Sequence, residues 1–280
     1  MLGKTVVVTG ATSGIGEVAA DRLAQYGARI VFIARDRARG AATLKHLGAI
    51  AGHTEHVAHY ADLSSLSEMR RVANEIAAAE VRIDVLVNNA GAMFATRQET
   101  ADGLEKTFAL NHMSYFVVTN LLLDRLKAAG HARVVSTSSD AHKAGRLHFD
   151  DLQSARRYSA FGVYGDTKLM NVLFTRELAR RLESADVTAN CLHPGFVSTR
   201  FGDNNRGLTG AVFGFAKNFA ISPERGAETI IHLASSPEVE GVSGKYFYKC
   251  REATPAAAAQ DDATAKRLWD ISAEIAGVGA

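Results

Sequence analysis

The segment Thr9-Gly10-Ala11-Thr12-Ser13-Gly14-Ile15-Gly16 stands between the apolar run Val6-Val7-Val8 and an amphipathic stretch carrying Val18, Ala19, Leu23 and Tyr26. It reads as a strand, a glycine turn and a helix. The first glycine permits a tight turn, the second lets the backbone approach a pyrophosphate, and the third packs the helix against the strand. The free N–H groups and the positive dipole end of the helix then face an anion. The spacing is G-x-x-x-G-x-G rather than G-x-G-x-x-G, and a plain turn before a helix is the competing reading.

Further apolar runs repeat the theme. Ala28-Arg29-Ile30-Val31-Phe32-Ile33-Ala34, Ile83-Asp84-Val85-Leu86-Val87, Arg133 to Ser139 and Val187 to His193 each have the length and composition of a strand buried on both faces. A shorter strand is expected at about 55–60 and a last one at Gly244-Lys245-Tyr246-Phe247. Helical segments at 36–47, 66–79, 103–129 and 161–182, a helix start at Ser222-Pro223-Glu224-Arg225 and a helix bearing Trp269 separate or follow them. This alternation predicts one Rossmann-like, doubly wound α/β domain over 1–280, with a mostly parallel sheet of about seven strands and helices on both faces. A 47% hydrophobic content over 280 residues is enough for its core.

The remaining composition excludes more than it suggests. Lys and Arg number 32 against 30 Asp and Glu, a net charge of +2 with the signs interspersed, so neither nucleic acid nor an anionic membrane is expected as a partner. The two cysteines, Cys191 and Cys250, lack any C-x-x-C spacing and read as free thiols. The ten histidines show no four-ligand pattern, so no metal site is expected. The chain enters a strand almost at once, without a charged or apolar leader, which predicts a soluble cytoplasmic protein with no membrane anchor.

In a doubly wound sheet, ligands sit beyond the carboxyl ends of the strands. Arg35 stands there after the second run, where an acid would bond a ribose 2′-hydroxyl and an arginine would pair with a 2′-phosphate. With Arg37 and Arg39 nearby and Ala34 before it, the position favours NADP(H) over NAD(H), against the plain reading of a solvated basic helix start. Asp62, after the third strand, is either an acceptor for an adenine amino group or a loop carboxylate, and Ser64 can cap the next helix. The small and amide residues Asn88-Asn89-Ala90-Gly91 follow the fourth strand. Asn111 falls mid-helix, where an amide is either solvated, bonded to its helix, or the mark of a functional kink. Tyr164 and Lys168 are four apart, on one helical face. The stretch from Phe196 to Ser222, with Phe201, Phe213, Phe215 and Phe219, reads as a lid or substrate wall.

Taken together, Thr9 to Gly16, Asn88 to Gly91, Asn111, Ser139, Tyr164-Gly165-Asp166-Thr167-Lys168 and Pro194-Gly195 resemble the short-chain dehydrogenase/reductase family over nearly the whole chain. Asp102 to Glu105, Ala109 to His112, Ser138 to His142, Asn171 to Ala179 and Arg267-Leu268-Trp269 look like its retinol dehydrogenase and WW-domain-oxidoreductase-like branch. The resemblance implies an oxidoreductase that interconverts an apolar alcohol and its carbonyl compound. It gives Tyr164 the role of general acid/base, Lys168 that of its electrostatic partner and ribose ligand, Ser139 that of donor to the substrate oxygen, and Asn111 that of holding a relay water. It places the cofactor against Gly10, Thr12, Ser13, Gly14, Ile15, Gly16, Arg35, Asp62, Leu63, Asn89, Ala90, Gly91, Tyr164, Lys168, Pro194, Gly195, Val197 and Thr199. It also implies a homodimer or homotetramer.

The chemistry agrees with this division of roles. A tyrosine with an ordinary pKa of about 10 needs roughly 4 kcal/mol of phenolate stabilisation to work near neutrality. One ammonium about 4 Å away at an effective dielectric of about 20 is worth a similar amount. Ser138 competes with Ser139 for the donor role, and the family's spacing favours Ser139. The other class of function is a dinucleotide-binding sensor or scaffold without turnover; such a protein would be expected to lack the tyrosine or the lysine, and here both are present.

Overall fold

The computed structural model describes residues 1–52, 54–195 and 221–278. Strands β1 (Thr5–Thr9), β2 (Arg29–Ala34), β3 (Val57–Tyr60), β4 (Val85–Asn88), β5 (Ala132–Thr137), β6 (Val187–Leu192), β7 (Tyr246–Tyr248) and β8 (Arg251–Glu252) form one sheet. Its order is β3-β2-β1-β4-β5-β6-β7-β8. The chain reverses its direction of growth between β1 and β4, which opens the crevice at their carboxyl ends.

Every neighbouring pair is parallel except β7 with β8. That eighth strand was not expected from the sequence. It has two exposed residues and returns through Lys249 and Cys250, both left-handed at φ 51° and 59°. Tight hairpins of that kind ordinarily carry Asn or Gly, so nothing in Lys-Cys announces one.

Helices α1 (Gly14–Gln25), α2 (Arg37–Ile50), α3 (Leu66–Ala79), α4 (Lys106–Phe108), α5 (Ser114–Lys127), α6 (Ala160–Arg181), α7 (Pro223–Ser235) and α8 (Asp262–Ala276) cover both faces of the sheet. Successive strand residues point to opposite faces, and the core divides accordingly. Val6, Val8, Ile30, Phe32, Val85, Val87 and Val135 pack with Leu23, Leu47, Ile230 and Leu233 of α1, α2 and α7. Val7, Val31, Ile33, Leu86 and Val134 pack with α3, α5, α6 and α8 on the other side. Among the described residues no helix is long and apolar enough to cross a membrane. The phenylalanines of 196–219 and the expected cofactor residues Val197 and Thr199 lie outside the described residues.

Helix α8 holds α5 and α6 in place through Trp269. Its indole stacks on Phe174 at 5.8 Å, meets Phe116 edge-on at 4.8 Å, and lies under the Arg181 guanidinium at 4.5 Å. Trp269→Ala removes this wedge and should lower the unfolding free energy in urea by about 3–5 kcal/mol. An unchanged midpoint would mean that α8 does not brace α6.

Candidate active site

The glycine turn has the geometry of a phosphate cradle. Gly10 and Gly14 are left-handed, at φ 74° and 60°. A Cβ on Gly16 would stand 2.3 Å from Gly10 O and 2.4 Å from Asn89 Nδ2, so only glycine lets α1 press this close to the turn. Thr9 Oγ1 accepts from the backbone N–H groups of Asn89 at 2.9 Å and Ala90 at 3.0 Å, tying the turn to the segment after β4. Ser13 is the N-cap residue of α1 but makes no side-chain bond to it. The first N–H groups of α1, around Gly14 and Ile15, are thus left for an anion, and the cradle fits a dinucleotide pyrophosphate.

Three arginines follow β2, and two are engaged. Arg39 Nη2 donates to Thr12 O at 2.8 Å, and Arg37 lies over the Tyr60 ring at 4.8 Å. Arg35 is exposed and makes no hydrogen bond or ion pair with the described residues. Asp62 Oδ1 accepts from Ser64 N at 2.9 Å and Ser64 Oγ at 2.8 Å, which closes the turn after β3 beside buried Leu63. Ser64 is therefore not the cap expected from sequence. Ser65 takes that position without a side-chain bond, and Asp102, 36 residues on, accepts from Leu66 N at 2.9 Å instead.

Asn111 lies in a π-helical turn, Ala109–Met113, that joins α4 to α5. This is the kink its mid-helix position suggested, and π-turns of this kind often accompany functional sites. Its amide pairs with both backbone groups of Ala92: Oδ1 accepts from Ala92 N at 2.8 Å and Nδ2 donates to Ala92 O at 2.9 Å. Nδ2 also donates to Thr167 Oγ1 at 3.1 Å, and Asn111 O accepts from Asn171 Nδ2 at 2.9 Å. Both amide hydrogens are thus spent on protein groups. Asn111 is a brace between the loop after β4 and α6.

At the end of β5 the alternation of side chains separates the two serines. Ser138 Oγ points into the core and donates to Lys168 O at 2.8 Å. Ser139 is half-buried and hydrogen-bonds the Tyr164 phenol, while its Oγ accepts from Ala141 N at 3.2 Å. The two elements meet closely because of two glycines. A Cβ on Gly145 would stand 2.6 Å from Gly165 O, and one on Gly165 would stand 3.0 Å from Ala141 O. Tyr164 and Lys168 share one side of α6, with Lys168 Nζ 5.5 Å from the centre of the Tyr164 ring. Lys168 is buried and donates to Thr137 O at 3.0 Å. Gly91 lies close by: a Cβ there would stand 3.1 Å from Asn111 Oδ1 and 3.6 Å from Lys168 Nζ. Gly195, left-handed at φ 88°, follows Pro194 at the carboxyl end of β6, and its N–H donates to His193 Nδ1 at 3.1 Å.

Burial changes the electrostatic balance expected from the sequence. It pushes the Tyr164 phenol up to about 12, with the Ser139 hydrogen bond working the other way. It pushes the Lys168 ammonium down to about 7. In the protein alone the lysine does not depress the tyrosine, because the desolvation that surrounds both groups opposes either charge. Asn171, which the resemblance includes without a role, reaches back across 60 residues to Asn111 O. The sequence reading assigns no role to Gly145, and Gly165 enters it only as part of the motif.

The lysine's low pKa has a consequence for stability. Lys168 binds its proton less readily folded, at about 7, than at the ordinary 10.5 of an unfolded chain. The contribution of Lys168 to stability is therefore fullest above 10.5, and is lost as pH falls toward 7, at up to about 1.4 kcal/mol per pH unit. Lys168→Met should abolish that slope in urea unfolding measured across the window. An equally steep dependence in the Met variant would show that Lys168 stays charged when folded.

Comparison with known proteins places this geometry. The short chain dehydrogenase family profile matches residues 4–207. Human retinol dehydrogenase 14 is 42% identical over 99% of this chain and 88% of its own, and human retinol dehydrogenase 13 is 42% identical over 99% and 86%. A crystal structure of a protein from Mycobacterium paratuberculosis superposes with a TM-score of 0.80 at 31% identity, covering 99% of this chain and 94% of that one. The NADP complex of Pseudomonas aeruginosa RhlG does so with a TM-score of 0.70 at 29% identity, covering 88% and 94%. The chain belongs to the short-chain dehydrogenase family, in its retinol dehydrogenase branch, and is an NAD(P)-dependent oxidoreductase of alcohol and carbonyl groups.

Proposed function

We propose that the protein prefers NADP(H) and interconverts an apolar alcohol with its aldehyde or ketone. The observation that carries this reading is the convergence of Ser139, Tyr164 and Lys168 at the carboxyl end of β5, beside the glycine turn and across from Arg35. The glycine turn and the start of α1 would hold the dinucleotide, which when bound would supply or accept the hydride. Tyr164 Oη gives its proton to the carbonyl oxygen during reduction and takes it from the alcohol during oxidation. The raised pKa of the phenol keeps that proton in place near neutrality, the form that reduction needs. Ser139 Oγ donates to the same oxygen, and Lys168, anchored on Thr137 O, faces Tyr164 from one helical turn away.

An apolar substrate is supported by the phenylalanines between 196 and 219 and by the names of the human relatives. Two free thiols, Cys191 and Cys250, support a reducing compartment, in which we place the protein as cytoplasmic.

Tyr164→Phe keeps the ring and removes the transferable proton, so turnover in NADPH-coupled reduction of a carbonyl panel should fall by about a hundred- to ten-thousandfold. NADPH binding should stay near that of the parent chain. Ser139→Ala should cost more turnover than Ser138→Ala; near-normal turnover of the Phe variant, or the reverse order of the serines, would overturn these roles.

Arg35 tests the cofactor. It follows β2, where an arginine could meet a 2′-phosphate with charge-assisted hydrogen bonds, so Arg35→Ala should raise the NADPH dissociation constant roughly ten- to a hundredfold. NADH binding should change little. Equal weakening of both, or equal affinity for both in the parent chain, would remove Arg35 from that role.

A further inference from the structure

His142 lies in the 3₁₀ turn Asp140–Ala144, directly after Ser139, and its ring is fully buried against Tyr246 of β7. Its two nitrogens have different neighbours. Nδ1 is 2.7 Å from Ser139 O, and Nε2 is 3.1 Å from the main-chain N of Ala256, in the segment that follows β8. A main-chain N–H can only donate, so Nε2 must present its lone pair. The single hydrogen of the neutral ring is then on Nδ1 and donates to Ser139 O. That carbonyl also receives the backbone N–H of His142 at 3.0 Å. Burial lowers the imidazole's pKa, against the Ser139 carbonyl, which raises it, and so favours the neutral ring that the Ala256 bond requires.

The Ser139 backbone is thereby held from one side by the histidine, while its Oγ is held by Ala141 N and meets Tyr164. We propose that His142 is a positioning residue for the reaction, fixing the Ser139 carbonyl through Nδ1–H and so the direction of the Ser139 hydroxyl toward Tyr164. Nε2 serves a separate purpose, fastening the segment around Ala256 to the active-site turn. This rests on the reading of Ser139 as the donor to the substrate oxygen.

The two bonds can be separated by substitution. Asparagine places an amide N where Nδ1 stands and does not reach Ala256, whereas glutamine places an amide O where Nε2 stands and loses the bond to Ser139. With NADPH and decanal or all-trans-retinal as probes, His142→Gln should lose at least about tenfold in kcat, the cost of one positioning hydrogen bond. His142→Asn should stay within about threefold, even if its melting temperature falls further than that of the Gln variant. The KM for NADPH should be unchanged in both. Independently of turnover, ¹⁵N-histidine NMR of the intact chain, with His142 assigned by its loss in His142→Asn, should show the Nδ1–H tautomer.

An Nε2–H tautomer, or a Gln variant as active as the parent while Ser139→Ala is impaired, would overturn the role of His142 alone. Loss of kcat in step with loss of stability in both variants would do the same. A fully active Ser139→Ala would instead overturn the reading of Ser139, and this proposal with it.

Discussion

The Thr137 carbonyl, at the last residue of β5, is the point on which the site depends. Lys168 Nζ donates to it at 3.0 Å, Asn171 Nδ2 at 3.4 Å and Tyr115 Oη at 3.4 Å. A buried ammonium is costly unless its hydrogens are bonded, and this carbonyl is the main-chain acceptor that makes the placement tolerable. Because the sheet fixes β5 through β4 and β6, the carbonyl cannot follow the lysine if α6 moves. The lysine is instead fixed by the sheet, and Tyr164, four residues earlier on the same helix, is fixed with it.

Close approach is the second requirement, and small residues meet it at each junction. Gly16 brings α1 onto the turn, and Gly145 with Gly165 brings the segment after β5 onto α6. Gly91 leaves space above Lys168 and Asn111. Between these contacts, side chains bonded to backbone take the place of regular ladders: Asn111 pairs with Ala92, Ser138 with Lys168 O, and His142 with Ser139 O and Ala256 N. The Asn111 amide and the His142 imidazole thereby satisfy main-chain groups of Ala92 and Ala256 that lie outside the regular ladders, which is how irregular segments at the end of a sheet can be held rigid.

This rigidity has an electrostatic side. The same packing that buries Lys168 and partly covers Tyr164 lowers the first pKa and raises the second. Both groups are biased toward their neutral forms, so the site is organised around hydrogen bonds rather than around a standing ion pair.

What the sequence determined by itself is what local periodicity and backbone sterics control. Alternating buried runs and helices required the doubly wound sheet, the glycines of 10–16 required a turn against a helix, and the four-residue spacing put Tyr164 and Lys168 on one helical face. The amide at Asn111 left open a solvated side chain, a bond to its own helix or a kink, and the packing decided for the kink. Only the tertiary structure decided which serine meets Tyr164, since that depends on the side of β5 that α6 covers. It also decided that Asp102 rather than Ser64 satisfies the start of α3, that a left-handed Lys249-Cys250 pair adds an eighth strand, and that burial outweighs the lysine's charge at the tyrosine. These outcomes depend on desolvation and on bonds between residues far apart in the chain, and such terms are fixed when the elements pack, not when they form.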